Sequence, residues 1–385
     1  MMSVFKLLSA GLIATAYLAD TANAQCKTIN NVPYCKEVDH IMYTNIGGSG
    51  KYDDVVFMDG KTCQCDKKPK TFSGSMAPLD EELSLHFRGP LKLKQLAVYM
   101  PGGRSKRDEY ERDEYGDARE HMAHSHGAGH HGHGAERHMH QNQARAGGMS
   151  RIGYYNAGSK TSQGLTFLNH KGGKGSGVFD HCWGNSLSYM SSDCSDGASS
   201  PQVLNDMTIQ SRTEFIVMSD RKCSGSDCGY YLNGIPAYHG FGGKSKVFLF
   251  EFQMPHDPTT GFNGNMPSIW ALNAKIPRTA QYGACSCWTS GCGEIDLFEV
   301  LDGATDYVKS HYHASQGAAA NGGKGGGGSP DYFKRPFDKV VKAAAIFDAS
   351  GSVTIKLLPD STSFGSSIDT GSLMSGEPAV YKVPS

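Results

Sequence analysis

The amino-acid sequence predicts an all-β protein with the architecture of a β-sandwich or jelly roll. It contains 48 glycines and 18 tyrosines, and glycine is costly inside helices. Short segments rich in β-branched and aromatic residues alternate with glycine-rich loops, a spacing that is typical of sandwiches. The clearest of these segments are residues 213–218, 246–252, 295–301 and 352–358. A further segment, 337–347, fits either a helix or a strand because it combines valines with three alanines.

Two zones of regular structure flank a segment of unusual composition. Residues 25–102 are predicted to form an N-terminal, cysteine-containing β module, because segments 82–88 and 91–99 alternate apolar and polar residues. Residues 149–385 contain the predicted sandwich. The N-terminal strands could form a separate accessory module. They could also complete the same sandwich, since long insertions in surface loops cost little free energy.

The segment between these zones, residues 103–148, is predicted to be a disordered linker. It begins with dense mixed charge and continues as a histidine- and glycine-rich tract over 121–140, which holds eight of the 16 histidines. Few of these residues could enter a hydrophobic core. The tract could be a solvated spacer, or its neutral imidazoles could bind transition metals. No carboxylate or cysteine framework fixes a geometry, so we assign no metal site.

The first 24 residues have the pattern of a secretory signal peptide. Lys6 precedes an apolar run over residues 7–18, and Ala22-Asn23-Ala24 offers small residues at a cleavage site. A membrane anchor is the alternative, but the run is short for a bilayer span of ~20 residues. No later segment is long and apolar enough to span a membrane. We therefore expect a secreted, extracellular protein without a membrane partner.

Cysteine content indicates the cellular compartment, and charge restricts the classes of partner. All 11 cysteines follow the predicted cleavage site in close local groups, as expected for disulfides in an oxidising compartment. The odd count leaves at least one thiol free, bonded to another chain or paired with a residue outside this sequence. With 37 basic and 38 acidic residues, the charge balance gives no reason to expect a nucleic-acid partner. We predict a monomer without a cofactor.

An acidic run with three carboxylates carries the main functional signal. As one strand, it places Glu294 and Asp296 on the same side because side chains alternate between faces. Strict alternation would leave Glu299 on the opposite face. A β-bulge at Leu297–Phe298 would shift the alternation of side chains by one residue and return Glu299 to the acidic face. The sequence therefore predicts three carboxylates on one concave face, with a bulge between the second and the third.

This arrangement would suit glycosidic-bond chemistry. Three adjacent carboxylates repel one another, so at least one should keep its proton near neutral pH with a raised pKa. A retaining glycosidase needs one ionised carboxylate and one protonated carboxyl, ~5–5.5 Å apart. Glu294 would attack the anomeric carbon, Glu299 would protonate the leaving oxygen and then activate water, and Asp296 would orient the nucleophile and set protonation. The alternatives are a solvated acidic strand edge and a calcium site.

Aromatic residues and cysteines precede the acidic run. Sugar rings could stack on Trp270 and Trp288, although each indole could instead pack in the core. Three cysteines, Cys285, Cys287 and Cys292, lie immediately upstream of the carboxylates. Such cysteines could bind zinc as thiolate ligands, but in a secreted protein they are expected to form disulfides. We therefore interpret these cysteines as staples that hold the loop leading into the strand.

These motifs resemble those of fungal TOS-type (Target-of-SBF) cell-wall proteins, which are similar to the laminarinase-type glycoside hydrolases of family sixteen. The likeness rests on residues 267–274 and on residues 285–299, which contain the signature Glu-x-Asp-x-x-Glu. It continues at 72–90, 234–243 and 248–252. Nearly the whole mature chain is covered, apart from the histidine-rich insert.

The resemblance implies a concanavalin-like jelly roll, a retaining mechanism and cell-wall β-1,3-glucan as the substrate. Glu294, Asp296 and Glu299 match the signature position by position, so the resemblance assigns them the catalytic roles. His311 and His313 follow at a spacing where related enzymes place substrate-binding side chains, and ordinary structural histidines are the alternative. The cysteine-dense approach to the signature departs from the wider group and leaves the linkage preference open.

Three functional hypotheses are compatible with the sequence. The first is an endo-β-1,3-glucanase, or a transglycosylase that uses the same covalent intermediate with a sugar hydroxyl as the acceptor. The second is a non-catalytic, glucan-binding structural protein of the cell wall, which would not need all three carboxylates. The third is a metal-binding surface protein that acts through residues 121–140.

Overall fold

The computed structural model describes residues 26–102, 148–316 and 325–385. The predicted signal peptide and nearly all of the predicted linker, including the histidine-rich tract at 121–140, lie outside the described residues. Among the residues that are described, no helix combines the length and the apolar character needed to cross a membrane.

The described residues form 25 strands and two short helices. Before the linker, the strands are β1 (Lys27–Ile29), β2 (Val32–Tyr34), β3 (His40–Thr44), β4 (Gly47–Asp59), β5 (Gln64–Ser75), β6 (Leu83–Arg88) and β7 (Lys92–Pro101). After it, they are β8 (Met149–Asn156), β9 (Thr161–Gln163), β10 (Leu165–Asn169), β11 (Phe179–Asp180), β12 (Gly184–Asn185), β13 (Ser188–Met190), β14 (Gly197–Ala198), β15 (Glu214–Ser219), β16 (Lys246–Gln253), β17 (Ser268–Asn273), β18 (Glu294–Val300), β19 (Tyr307–His313), β20 (Gly327–Gly328), β21 (Phe333–Lys334), β22 (Val341–Asp348), β23 (Ser352–Leu358), β24 (Ser367–Ile368) and β25 (Ala379–Lys382). The helices are α1 (Lys275–Arg278) and α2 (Thr370–Leu373).

Two large sheets pack face to face, which confirms the predicted all-β sandwich. The first, which we call the site sheet, has the order β14-β13-β10-β15-β6-β17-β18-β19-β20, with β21 paired to β19. The second, the back sheet, has the order β24-β8-β7-β16-β22-β23-β3-β25, with β9 paired to β8. Their inner faces share one hydrophobic core. Within it, Phe87 of the site sheet meets Phe250 of the back sheet edge to face, with ring centroids 6.2 Å apart.

Strands from before and after the linker alternate in both sheets. In the site sheet, β6 lies between β15 and β17. In the back sheet, β7 lies between β8 and β16, and β3 lies between β23 and β25. This pairing corresponds to the arrangement in which the N-terminal strands complete the same sandwich.

Strand β22 covers most of the segment that fits either a helix or a strand, from Val341 to the end of that segment. Its alanines pair with bulky residues of β16: Ala343 lies opposite Phe250, and Ala345 lies opposite Phe248. Small side chains on β22 therefore make room for the aromatic rings of its neighbour, because facing core positions alternate large and small residues to fill space. Strand pairing outweighs the helical propensity of alanine here.

The long β4–β5 hairpin lies outside the two large sheets and covers part of the outer face of the site sheet. Tyr52 and Phe72 of the hairpin pack against Trp270 and Leu272 of β17. Disulfides Cys63–Cys182 and Cys65–Cys285 connect the hairpin tip to later loops, and the other three are Cys26–Cys35, Cys223–Cys228 and Cys287–Cys292. Cys194 is the free cysteine, and burial raises the pKa of its thiol to about 12. It is therefore an inert core thiol.

Candidate active site

Strand β18 contains the β-bulge that the acidic run requires. Its register against both β17 and β19 shifts after Asp296. Leu297 is fully buried and Phe298 is 1% exposed, and both pack in the core between the sheets. Because two consecutive side chains point inward, Glu299 returns to the outer face with Glu294 and Asp296. The predicted bulge at Leu297–Phe298 is confirmed.

Strand register aligns the outer face of the site sheet into rows of polar side chains. Residues that face each other on neighbouring strands point to the same side of a sheet. One row runs across β6, β17, β18 and β19 through His86, Trp270, Asp296 and His311. The next row runs across β15, β6, β17 and β18 through Glu214, Arg88, Ser268 and Glu299. The three carboxylates therefore lie in the middle of a broad polar face.

Among the three carboxyl groups, Asp296 has the most clearly raised pKa, and burial is the main cause. It is 6% exposed, and burial, followed by the charges of Glu299 and Glu294, raises the pKa of Asp296 to about 8. His313 opposes this shift, since its Nε2 atom lies 3.4 Å from Asp296 Oδ2. Asp296 is therefore mostly protonated at neutral pH, as expected when adjacent carboxylates share a desolvated site.

Glu299 is paired with an arginine from another strand. Arg88 Nη2 donates a hydrogen bond to Glu299 Oε1 at 2.9 Å. Burial raises the pKa of Glu299, and the charge and hydrogen bond of Arg88 oppose that rise. Arg88 Nε donates to the Met266 carbonyl at 2.8 Å, and its guanidinium lies 5.6 Å from the centre of the Trp270 ring. These contacts hold the cation over the carboxyl group.

Glu294 is held by Trp288. The indole Nε1–H donates to Glu294 Oε2 at 2.7 Å. Trp288 lies in a 3₁₀ turn, Trp288–Ser290, inside the loop closed by the Cys287–Cys292 disulfide. Disulfides therefore staple this loop, as predicted from the cysteine spacing. Trp288 contacts the carboxylate through its N–H, and its proposed contact with a sugar ring stays a prediction.

Trp270 and the two histidines occupy different depths in the site. Trp270 is 3% exposed, and its N–H donates to the Tyr282 hydroxyl at 3.0 Å. That burial leaves little ring surface for a sugar, so the stacking role of Trp270 also stays a prediction. The rings of His311 and His313 lie parallel, with centroids 5.8 Å apart. Burial and the nearby His313 lower the pKa of His311 to about 4, so His311 is neutral.

Several residues of this face were not singled out from the sequence. Arg88 and His86 alternate along a segment predicted as a half-buried strand, and this alternation was the available signal. Glu214 lies on the neighbouring strand, where burial would raise its pKa, but the hydrogen bond and charge of His86 lower it. The outward-facing polar residues of β6 point toward the site and the covering loops rather than toward open solvent.

One group of potential metal ligands occurs among the described residues, away from the carboxylates. It contains Cys223, Asp227, Cys228 and His239. The two cysteines form a disulfide with each other, and a metal binds cysteine as the thiolate. This group therefore lacks the two sulfur ligands that would define a zinc site.

Comparison with known proteins places the chain in a family. Residues 39–101 match the N-terminal part, and residues 147–375 the C-terminal part, of the family described as cell wall protein YJL171C/Tos1. A Candida albicans protein named "Probable circularly permuted 1,3-beta-glucanase TOS1" is 38% identical, and the match covers 94% of this chain and 96% of that protein. A Saccharomyces cerevisiae protein with the same name is also 38% identical, and the match covers 90% of this chain and 91% of that protein. An Arthroderma benhamiae protein named "Probable circularly permuted 1,3-beta-glucanase" is 32% identical and covers 92% of each chain. No solved structure matches. The chain belongs to the YJL171C/Tos1 family of cell wall proteins.

Proposed function

We propose that this protein is a secreted cell-wall glycoside hydrolase that cleaves β-1,3-glucan by a retaining double displacement. The names of the relatives support the substrate class, and the name of the family supports the cell wall as the location. The bulge at Leu297–Phe298 is the observation that carries the proposal. It collects three carboxylates on one face, where each of them has a different partner.

Glu294 is the proposed nucleophile. The Trp288 N–H fixes the orientation of its carboxylate. A carboxylate oxygen attacks the anomeric carbon, the bond to the leaving sugar breaks, and a covalent glycosyl-enzyme intermediate forms. Asp296 retains a proton at neutral pH, so it adds no second negative charge beside the nucleophile and can donate a hydrogen bond.

Glu299 is the proposed acid and base. Its raised pKa favours the protonated form that gives its proton to the departing glycosidic oxygen. The resulting carboxylate then takes a proton from the incoming acceptor as the acceptor oxygen attacks the intermediate and releases Glu294. Water as the acceptor gives hydrolysis, whereas a sugar hydroxyl gives transglycosylation. The Arg88 cation stabilises the carboxylate between these two proton transfers.

The test is incubation of the purified protein with laminarin and with defined laminari-oligosaccharides, followed by chromatography of the products. We expect shorter products for hydrolysis or longer products for transfer, and the β anomer as the first product in proton NMR. Glu294→Gln should abolish turnover, and Glu299→Gln should slow it by about 10²–10⁴-fold. Glu377→Gln is the matched control. It alters an exposed carboxylate well separated in sequence from the acidic run, and it should keep full activity.

A non-catalytic glucan-binding wall protein is the alternative. The outcome that would establish it is absence of turnover in both wild type and Glu294→Gln, while both proteins still sediment with insoluble β-glucan. Retention of full activity by Glu294→Gln would contradict the assignment of the nucleophile.

A further inference from the structure

A cavity of about 340 Å³ lies on the outer face of the site sheet, to one side of the carboxylates. Its floor includes Glu214 and Ile216 of β15, which are the register partners of Arg88 and His86. Strand β15 is three places from β18 in the sheet, which corresponds to ~14 Å at the usual strand spacing. Several sugar rings of a glucan chain would cover that distance.

A continuous series of contacts joins this cavity to the catalytic strand. Glu214 Oε1 accepts hydrogen bonds from Gln281 Nε2 at 3.0 Å and from His86 Nδ1 at 3.2 Å. The His86 ring lies against Trp270, with centroids 5.1 Å apart, and Trp270 is the register partner of Asp296. Residue 281 and Tyr282 belong to the loop that continues to Trp288. One loop therefore borders both the cavity and the carboxylates.

The polar groups around the cavity suit a neutral, hydroxyl-rich ligand. Three basic side chains line its wall. Lys171 and Arg212 already donate to backbone carbonyls. Burial lowers the pKa of His170, so this imidazole is neutral. Glu214 is an acceptor whose pKa is lowered by His86, so the cavity contains a negative charge. Trp183 adds a half-buried indole to the wall. An aromatic face with hydrogen-bonding groups around it is the combination that binds a pyranose ring, and the charge disfavours an anion.

Gln281 provides a second and independent observation. Its side-chain oxygen is buried and finds no hydrogen-bond partner among the described residues. Buried polar atoms are almost always paired. The backbone at Gln281 is also left-handed, with φ of 36°, a conformation that is unfavourable for glutamine and tends to persist at functional sites. A donor from a ligand hydroxyl would satisfy this oxygen.

We propose that this cavity is a distal sugar-binding subsite for a neutral β-glucan chain that runs from the carboxylates across β17 and β6. Trp183 provides the stacking surface, and Gln281 accepts a hydroxyl hydrogen bond. This assignment rests on the proposed function, because the same chain has to reach Glu294 and Glu299. Oligosaccharides long enough to fill the cavity bind more tightly than shorter ones. Substitutions in the cavity wall remove this additional affinity.

Binding and turnover can be measured separately. In the inactive Glu294→Gln background, calorimetry with laminari-oligosaccharides of increasing length gives affinity without hydrolysis. We expect Trp183→Ala and Gln281→Ala each to weaken binding of the long members by about tenfold, equivalent to one lost ring contact or hydrogen bond. Binding of the short members should not change. Phe179→Ala removes an exposed aromatic ring from the same segment and is the matched control.

The kinetic experiment uses the active protein with the same oligosaccharide series. In Trp183→Ala and Gln281→Ala, kcat/KM for long substrates should fall toward the value for short ones, mainly through KM. Circular dichroism and Tm establish that each variant is folded, and Gln281→Ala decides the outcome if Trp183→Ala is not. Unchanged length dependence in a folded Gln281→Ala variant, with normal hydrolysis, overturns the subsite and leaves the proposed function intact. Loss of long-chain binding in a protein without turnover on any glucan supports the subsite and overturns the proposed function.

Discussion

Glu294, Asp296 and Glu299 share one strand face, yet their partners differ in charge and in hydrogen-bonding character. A neutral N–H from Trp288 binds the first, a histidine lies beside the second, and a guanidinium pairs with the third. The environments of chemically similar groups decide which of them is ionised. This division of partners can give three adjacent carboxylates three separate roles.

Arg88 should control the pH range in which Glu299 can act as an acid. The guanidinium favours the ionised carboxylate, so Arg88→Met should raise the pKa of Glu299 further. A general acid must be protonated, and the alkaline limb of the kcat/KM profile should therefore move to higher pH. Measurement of kcat/KM on laminarin from about pH 4 to pH 9 in both proteins checks the sign.

The conservative variant distinguishes charge from packing. Arg88→Lys retains the cation but loses the planar fork that reaches the Met266 carbonyl and the Trp270 ring. Its alkaline limb should lie closer to that of wild type than the limb of Arg88→Met does. An alkaline limb that stays fixed, or moves to lower pH, in Arg88→Met would contradict the role given to the ion pair.

The Arg88–Glu299 pair could be predicted only in part from the sequence. The spacing of the acidic run was sufficient to predict the three carboxylates and the bulge. The partner of Glu299 comes from a residue 211 positions away, and alternation within one strand contains no information about which strand lies beside it. Trp183 was missed for a similar reason, because it lies far upstream of the acidic run and no local motif surrounds it.

At the level of elements, the strands that sequence patterns predicted best are those that alternate or that are rich in β-branched or aromatic residues, such as β6, β16 and β23. Strand β22 was ambiguous because its alanines are good helix formers, and only the phenylalanines opposite them explain the strand. The β4–β5 hairpin was not predicted. Its second strand, Gln64–Ser75, is rich in lysine and lacks a clear apolar alternation, and its packing partners lie on another element.

The Cys63–Cys182 disulfide should matter more than a local one because it closes a much longer loop. It spans 119 residues, whereas Cys223–Cys228 spans 5. The loop-entropy model predicts about 3 kcal/mol more stabilisation for the longer loop. We therefore expect the double variant Cys63→Ser/Cys182→Ser to unfold at clearly lower denaturant concentration than Cys223→Ser/Cys228→Ser. Equal losses in the two variants, measured by urea unfolding, would contradict the entropic argument.

The same bond has a functional consequence that can be measured on the same variants. Cys182 is adjacent to Trp183, so its link to the hairpin tip also positions one wall of the cavity. We expect Cys63→Ser/Cys182→Ser to weaken binding of long oligosaccharides, while Cys223→Ser/Cys228→Ser leaves it unchanged.

For the whole molecule, the question left open by the sequence was whether the N-terminal strands form their own domain. Strand patterns show where strands lie but not which strands pair, so both arrangements fitted the sequence. The pairing of β6 and β7 with later strands leads us to propose that residues 26–102 and 148–385 fold as one unit. The ends of the intervening segment lie side by side, since the Gly102 N–H donates to the Gly148 carbonyl at 3.3 Å.

This proposal predicts the behaviour of a protein cut once within residues 103–147 by limited proteolysis. The disulfides Cys63–Cys182 and Cys65–Cys285 join the two segments covalently, so a non-reducing gel should show one band and a reducing gel two. Under native conditions with reductant, the fragments should still elute together, because separation would expose the core shared by both sheets and leave unpaired strand edges. Two fragments that separate on native chromatography and each retain a cooperative unfolding transition would instead establish two domains.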